Sequence, residues 1–234
     1  MSSLRALRVA GGIAATVALL VGYWALLAFV PVPGFGAGDF AEGHNLANWF
    51  DTRFLPLRKW DGDYDPEGLL STLPAIASCL LGVLAGLWLN DDSRRPLARG
   101  WQLVGAGALL IVVGHLWGLQ FPVIKKLWTS SFVLVAGGWS AMLLGAFYLV
   151  IDVAQVAAWA WPFVWVGCNP LAIYLVSNVV DFGKLSERFA GGDVAMGLNA
   201  LWPGLGGLVL ALVGAGLCFA TCRLLYQRKV FLRI

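Results

Sequence analysis

Four carboxylates, Asp61, Asp63, Asp65 and Glu67, fall within seven residues and stand directly before a long apolar stretch. Such an acidic rim can hold a polar or cationic acceptor. The same residues carry a plainer reading. Asp65 has a good N-cap side chain, and Pro66 suits the first helical position. Glu67 would then sit in the first turn, where the helix dipole favours an anion. A cap needs only one acid, and spacing alone does not choose between rim and cap.

A second cluster is FPVIKKLWTSSF, residues 121–132. Lys125 and Lys126 read either as snorkelling anchors beside an interfacial Trp128 or as a cationic wall for an anionic group. Thr129, Ser130 and Ser131 follow as hydrogen-bond donors at the next helix start. A third is GCNPLAIY, residues 167–174. Pro170 removes an N–H and clashes with the preceding turn, so the helix must kink or break there. Asn169 either caps the second half or lines a cavity at the break. His44 reads as a solvated loop residue and His115 as a hydrogen-bonded residue inside a helix bundle. Neither has a partner at a spacing that builds a triad. The four cysteines, Cys79, Cys168, Cys218 and Cys222, lie in apolar stretches without metal-ligand spacing and read as packing residues.

The elements that must position these residues are set by composition. Of 234 residues, 59% are hydrophobic and 12% charged, about half the charge of an ordinary soluble domain. The class is therefore an all-α, polytopic integral membrane protein. A formal charge of +3 gives no case for a nucleic-acid partner. About 20 apolar residues cross a hydrocarbon layer of ~30 Å. Six segments qualify, at about 9–30, 69–89, 101–119, 131–151, 154–180 and 195–220. Together they make one transmembrane domain over 1–234, with a polar extracytoplasmic loop at 31–68. The first segment is too long for a signal-peptide core and is read as a retained helix.

Lys and Arg set the orientation. With the N-terminus inside, Arg5, Arg8, Arg94, Arg95, Arg99, Arg223, Arg228, Lys229 and Arg233 are internal, and the other seven basic residues are external. This places the chain in the cell (inner) membrane with both termini cytoplasmic. Gly82 and Gly86 form a G-x-x-x-G pair, and Gly206, Gly207, Gly214 and Gly216 thin the last helix; both patterns predict close helix approach.

The order of motifs resembles one family. YWALLAFVPVPGFG, NLANWFD, DPEGLLSTLPAI, LLGVLAG, KKLWTSSFVL, GCNPLAIY and the terminal YQRKVFLRI together are similar to the transmembrane acetyltransferases typified by heparan-α-glucosaminide N-acetyltransferase and its bacterial relatives. The resemblance implies transfer of an acetyl group from acetyl-CoA to an amino sugar across a bilayer. It covers almost the whole chain but only the C-terminal half of those enzymes. Their catalytic histidine stands in a His-Ala-x-Trp-Asn-Gly motif, which has no counterpart here, so the catalytic residue is unknown. His44 sits in a different motif and does not take that role. Ile124 stands where relatives usually show Asn before the paired lysines.

On this resemblance Asp65, Glu67, Lys125, Lys126, Trp128, Thr129, Ser130 and Asn169 line the donor or sugar site, and no metal is implied. Arg94, Arg95 and Arg99 read as topology determinants or phosphate attractors. The front half is lost, split off as a separately encoded partner, or excluded by a mis-set start; a homo-oligomer is a further possibility. The rival expectation is a non-enzymatic multi-pass protein that binds or transports a small solute through a cavity at Asn169. A third is a remnant without biochemical activity.

Overall fold

A computed structural model describes residues 3–56, 59–62 and 65–232. Asp63, Arg58 and Arg233, which entered the acidic-rim and orientation readings, lie outside the described residues. The described chain is all-helical apart from isolated bridges in the loops. Its contacts divide it into two compact units, residues 1–155 and 156–234.

The first unit is built from α1 (Ser3–Phe29), α2 (Leu46–Phe54), α3 (Thr72–Leu89), α4 (Pro96–Gly118) and α5 (Ser130–Tyr148), the last extended by a π-helical turn at Leu149–Val153. Four of these are long and apolar enough to cross a membrane: Arg5–Phe29, Thr72–Leu89, Pro96–Gly118 and Ser130–Val153. They run up, down, up and down, so the loops at 30–71 and 119–129 share one end of the unit. The arginine-rich turn between α3 and α4 lies at the other. Of the described helix starts in this unit, α2 and α5 are capped by a side chain and α3 and α4 are not. Asn45 and Thr129 accept hydrogen bonds from the backbone N–H of Asn48 and Phe132, each replacing a bond that a first-turn amide otherwise lacks.

The core sits under the loop end. Tyr23 and Leu27 of α1 pack with Val32, Leu46 and Phe121 from the loops and α2. One layer deeper, Leu20, Ala77, Val133 and Leu134 bring α1, α3 and α5 together.

In this unit α4 approaches α5 closely along glycines seven residues apart. A Cβ at Gly107 would lie 2.6 Å from the carbonyl oxygen of Gly138, and one at Gly138 would lie 2.6 Å from that of Gly107. Gly114 repeats the approach against Val135, and Gly145 against Val104 and Gly100. Backbones in van der Waals contact bring the dispersion gain that drives helix association in lipid, where burial of apolar surface contributes little. The G-x-x-x-G pair at Gly82 and Gly86 does not serve this purpose. A Cβ at either position would meet nothing within 4 Å, so these glycines leave space beside α3 rather than close it.

The second unit contains α6 (Trp161–Gly167, after a 3₁₀ turn at Ala158–Ala160), α7 (Pro170–Val179), α8 (Phe182–Ala190), α9 (Asp193–Leu201) and α10 (Leu205–Gln227). The expected fifth span is a broken pair: Ala158–Gly167 and Pro170–Val179 are bent by 68° across Cys168 and Asn169, as Pro170 requires. The sixth begins at Leu205 rather than near 195, because α9 is a separate short helix. In α10, Gly206 and Gly214 do permit close approach, to the carbonyls of Ala195 at 2.5 Å and Phe182 at 3.3 Å, whereas Gly207 and Gly216 face open space.

Candidate functional site

The loop end of the first unit holds most of the residues singled out by sequence. α3 starts at Thr72, so Asp65 is not its cap. Asp65 instead closes a turn. Its carboxylate accepts from the N–H of Glu67 at 2.9 Å and of Trp60 at 3.1 Å, and Gly68 N–H donates to the Asp65 carbonyl at 3.1 Å. The turn lifts Glu67 to the surface, where it is exposed. Of the two readings weighed for this motif, the helix cap is excluded.

Asp51 holds the turn from below. It is 1% exposed and accepts from Leu69 N–H at 3.0 Å. A Cβ at Gly68 would overlap the Asp51 carboxylate, so only glycine fits between α2 and the turn. Burial is the largest influence on the Asp51 carboxyl and pushes its pKa above the ordinary carboxylate value, aided by the nearby Asp65 charge; hydrogen bonds from the Leu69 and Asp65 backbones oppose this. Asp51 was part of the NLANWFD motif but was not singled out as a site residue. Its signal was present. Asn45, Asn48 and Asp51 recur every three residues on a short helix, and all three are buried.

The KKLWTSS segment arrives at the same end from α4. Lys126 Nζ lies 2.9 Å from Asp61 and 3.1 Å from Glu42, joining three loop segments by charge. Lys125 is exposed beside it. Trp128 adopts a left-handed φ of 52°, uncommon for a bulky side chain. Its indole donates to Ser78 Oγ at 3.1 Å, and its ring meets Phe132 edge-on at 5.4 Å. The segment is anchored to α1 twice: Tyr23 Oη donates to the Leu127 carbonyl at 2.7 Å, and Ser130 Oγ donates to the Leu20 carbonyl at 2.7 Å.

Thr129, Ser130 and Ser131 are fully buried. Thr129 Oγ1 donates to the Pro122 carbonyl at 2.8 Å, and Ser131 Oγ to the Phe121 carbonyl at 2.6 Å. A hydroxyl has one proton to donate. All three are used on the chain itself, so these residues shape the segment without offering a donor to a ligand.

Asn169 belongs to the second unit and is also fully buried. Its Nδ2 donates to the Val230 carbonyl at 2.8 Å, and its Oδ1 accepts from Leu232 N–H at 3.2 Å. Both ends of the amide are engaged in holding the C-terminal segment at the broken helix, where the Pro170 N–H is missing. His115 is exposed on α4 rather than enclosed by the bundle, and His44 bonds Asp39 at 3.0 Å while stacking on Phe35 at 4.1 Å. Among the described residues no group of His, Cys, Asp and Glu is placed to hold a metal ion.

No protein-family model matches the chain. It is similar to heparan-alpha-glucosaminide N-acetyltransferase of Mus musculus, with 27% identity over 71% of this chain and 30% of that protein. It is similar to the enzyme of the same name from Homo sapiens, with 29% identity over 70% of this chain and 29% of that protein. The chain thus spans less than a third of the length of these curated relatives. These similarities support the family relationship read from the motifs.

Proposed function

We propose that this multi-pass, acetyltransferase-like membrane protein supplies the loop-end wall of a site where an acetyl group passes from acetyl-CoA to an amino sugar. Asp65 and Glu67 would draw the cationic or hydroxyl-rich sugar, while Lys125 and Lys126 would draw anionic groups. Trp128 forms the floor, and Thr129 and Ser130 hold the lysine segment in place. Asn169 fastens the C-terminal segment of the second unit.

In the reaction a neutral amine attacks the thioester carbonyl, a general base takes the amine proton, and donors stabilise the oxyanion. The base comes from a part of the enzyme outside these 234 residues, which match only 30% and 29% of the length of the two relatives. The loop end faces away from the cytoplasm of a cell with an inner membrane, and both termini are cytoplasmic.

One observation carries this reading. The loop that leads into the DPEG turn meets the KKLW segment, some sixty residues away in sequence, at one end of one unit: Lys126 pairs with Asp61, and the adjoining Trp60 N–H donates to Asp65. The solute-transport alternative rested on a cavity at Asn169. That amide is bonded to the backbone through both its nitrogen and its oxygen.

Coexpression of the chain with the segment encoded upstream, followed by acetyl transfer to glucosamine, tests the proposal. Activity should appear only with both halves present and should fall in Asp65→Ala and in the double variant Lys125→Ala, Lys126→Ala. Full activity in those variants would reject the site.

A further inference from the structure

A cleft of about 580 Å³ opens at the arginine-rich half of the first unit, between α1 and α3 on one side and α4 and α5 on the other. Its walls are apolar, formed chiefly by Leu81, Leu84, Leu110, Phe132 and Ala141. The rim residues Ile13 of α1 and Leu144 of α5 are exposed, at 51% and 42%. Gly82 lines the cleft, and a Cβ there would meet nothing within 4 Å.

The two ends of the cleft differ in chemistry. At one, Arg5 and Arg94 flank Asp91, which is 5% exposed, at 3.3 and 3.2 Å. Two guanidiniums on one carboxylate leave one net positive charge. The Arg94 guanidinium lies 4.0 Å over the Trp88 ring. The Trp88 indole N–H is buried and has no hydrogen-bond partner among the described residues, a costly arrangement unless an acceptor arrives.

At the opposite end the polar groups are already satisfied. Trp128 donates to Ser78, and Ser78 donates to the Pro74 carbonyl at 3.1 Å. On the wall between, Ser140 donates to the Ala136 carbonyl at 2.9 Å. An occupant with amide or thioester carbonyls along its length would find no side-chain donor there, whereas a hydrocarbon needs none. From Ser78 to Trp88 along α3 the cleft runs about 15 Å, at 1.5 Å per residue. That is about half the ~30 Å hydrocarbon thickness of a bilayer, the depth of one leaflet.

We propose that the cleft holds one acyl chain of an anionic glycerophospholipid, drawn from the leaflet at the arginine-rich end, with its phosphate on Arg5, Arg94 and the Trp88 N–H. This goes beyond the acetyl-transfer reading and does not depend on it.

The experiment is native mass spectrometry of the full chain, released from nanodiscs of equal phosphatidylglycerol and phosphatidylcholine. One phosphatidylglycerol per chain should be retained in preference to phosphatidylcholine. Arg5→Gln with Arg94→Gln should lower its retention about tenfold, the scale of one charge-assisted hydrogen bond. Gly82→Leu should fill the cleft and expel the lipid, while Gly82→Ala, which keeps the helix and most of the space, should retain it. Circular dichroism of each variant confirms that helix content is unchanged. Equal retention of the two lipids, retention undiminished in Gly82→Leu, or emptying of the cleft by excess acetyl-CoA would each overturn the proposal. Because the readout is lipid mass, its failure leaves the acetyl-transfer test untouched.

Discussion

Asp51 and Asp91 respond to pH in opposite directions, for opposite physical reasons. Burial raises the Asp51 pKa above its ordinary 3.8, so the folded chain holds that proton more tightly than the unfolded chain. Its contribution to stability is full below the ordinary value and is lost as pH rises through the raised one. The Asp91 carboxyl is lowered by the Ser93 hydroxyl foremost, then by Arg94 and Arg5. Its contribution is present above the ordinary value and is lost as pH falls through the lowered one. Thermal unfolding in micelles should therefore show Asp51→Asn flattening the decline above pH 4. Asparagine still accepts from Leu69 N–H, so stability at neutral pH should hold or rise. Asp51→Ala removes the acceptor from a buried amide and should cost about 1–3 kcal/mol. Lys126 is half exposed, so its ion pairs contribute about 0–1 kcal/mol to stability. A large loss of acetyl transfer in Lys126→Ala with unchanged melting would mark a role in the site rather than in folding.

Glycines of similar appearance in the sequence differ sharply in what their helices require. Gly107→Ala or Gly138→Ala would drive a methyl group into the facing backbone and should destabilise by about 1–3 kcal/mol, the usual cost of overpacking. Gly86→Ala adds the same methyl to open space and replaces a poor helix former, so it should be neutral or stabilising by up to about 1 kcal/mol. Melting temperatures of the three variants in one detergent compare them directly. The seven-residue spacing of Gly100, Gly107 and Gly114 against Ser131, Gly138 and Gly145 was visible in the sequence, but the shorter G-x-x-x-G spacing was the pattern singled out. Helix position was easier to read than helix continuity. Hydropathy marked the apolar stretches, and Pro170 marked the break between Gly167 and Pro170, but the last long helix starts at Leu205 and not near 195. The separation of α9 from α10 was missed because Trp202-Pro203-Gly204 lies inside an otherwise apolar run.

For the molecule as a whole, the decisive expectation is that residues 61–67 and 125–126 share one side of the membrane, with the α3–α4 turn on the other. Single-cysteine variants Glu67→Cys and Lys125→Cys, in a chain with its native cysteines replaced, should react with an impermeant maleimide from the same side. Arg95→Cys should react only from the opposite one. Labelling of Glu67→Cys and Lys125→Cys from different sides would dismantle the proposed site. The all-helical membrane class, the number of apolar segments and the order of polar loops were determined by the sequence alone, since hydropathy is a sum over neighbouring residues and needs no knowledge of partners. Tertiary structure decided the rest: that Asp65 closes a turn over Asp51, that Thr129 and Ser130 donate to backbone carbonyls, and that Gly107 meets a helix while Gly82 faces a cleft. A hydrogen bond or close contact belongs to two segments far apart in the chain. Its partner cannot be read from either segment until both are folded against each other.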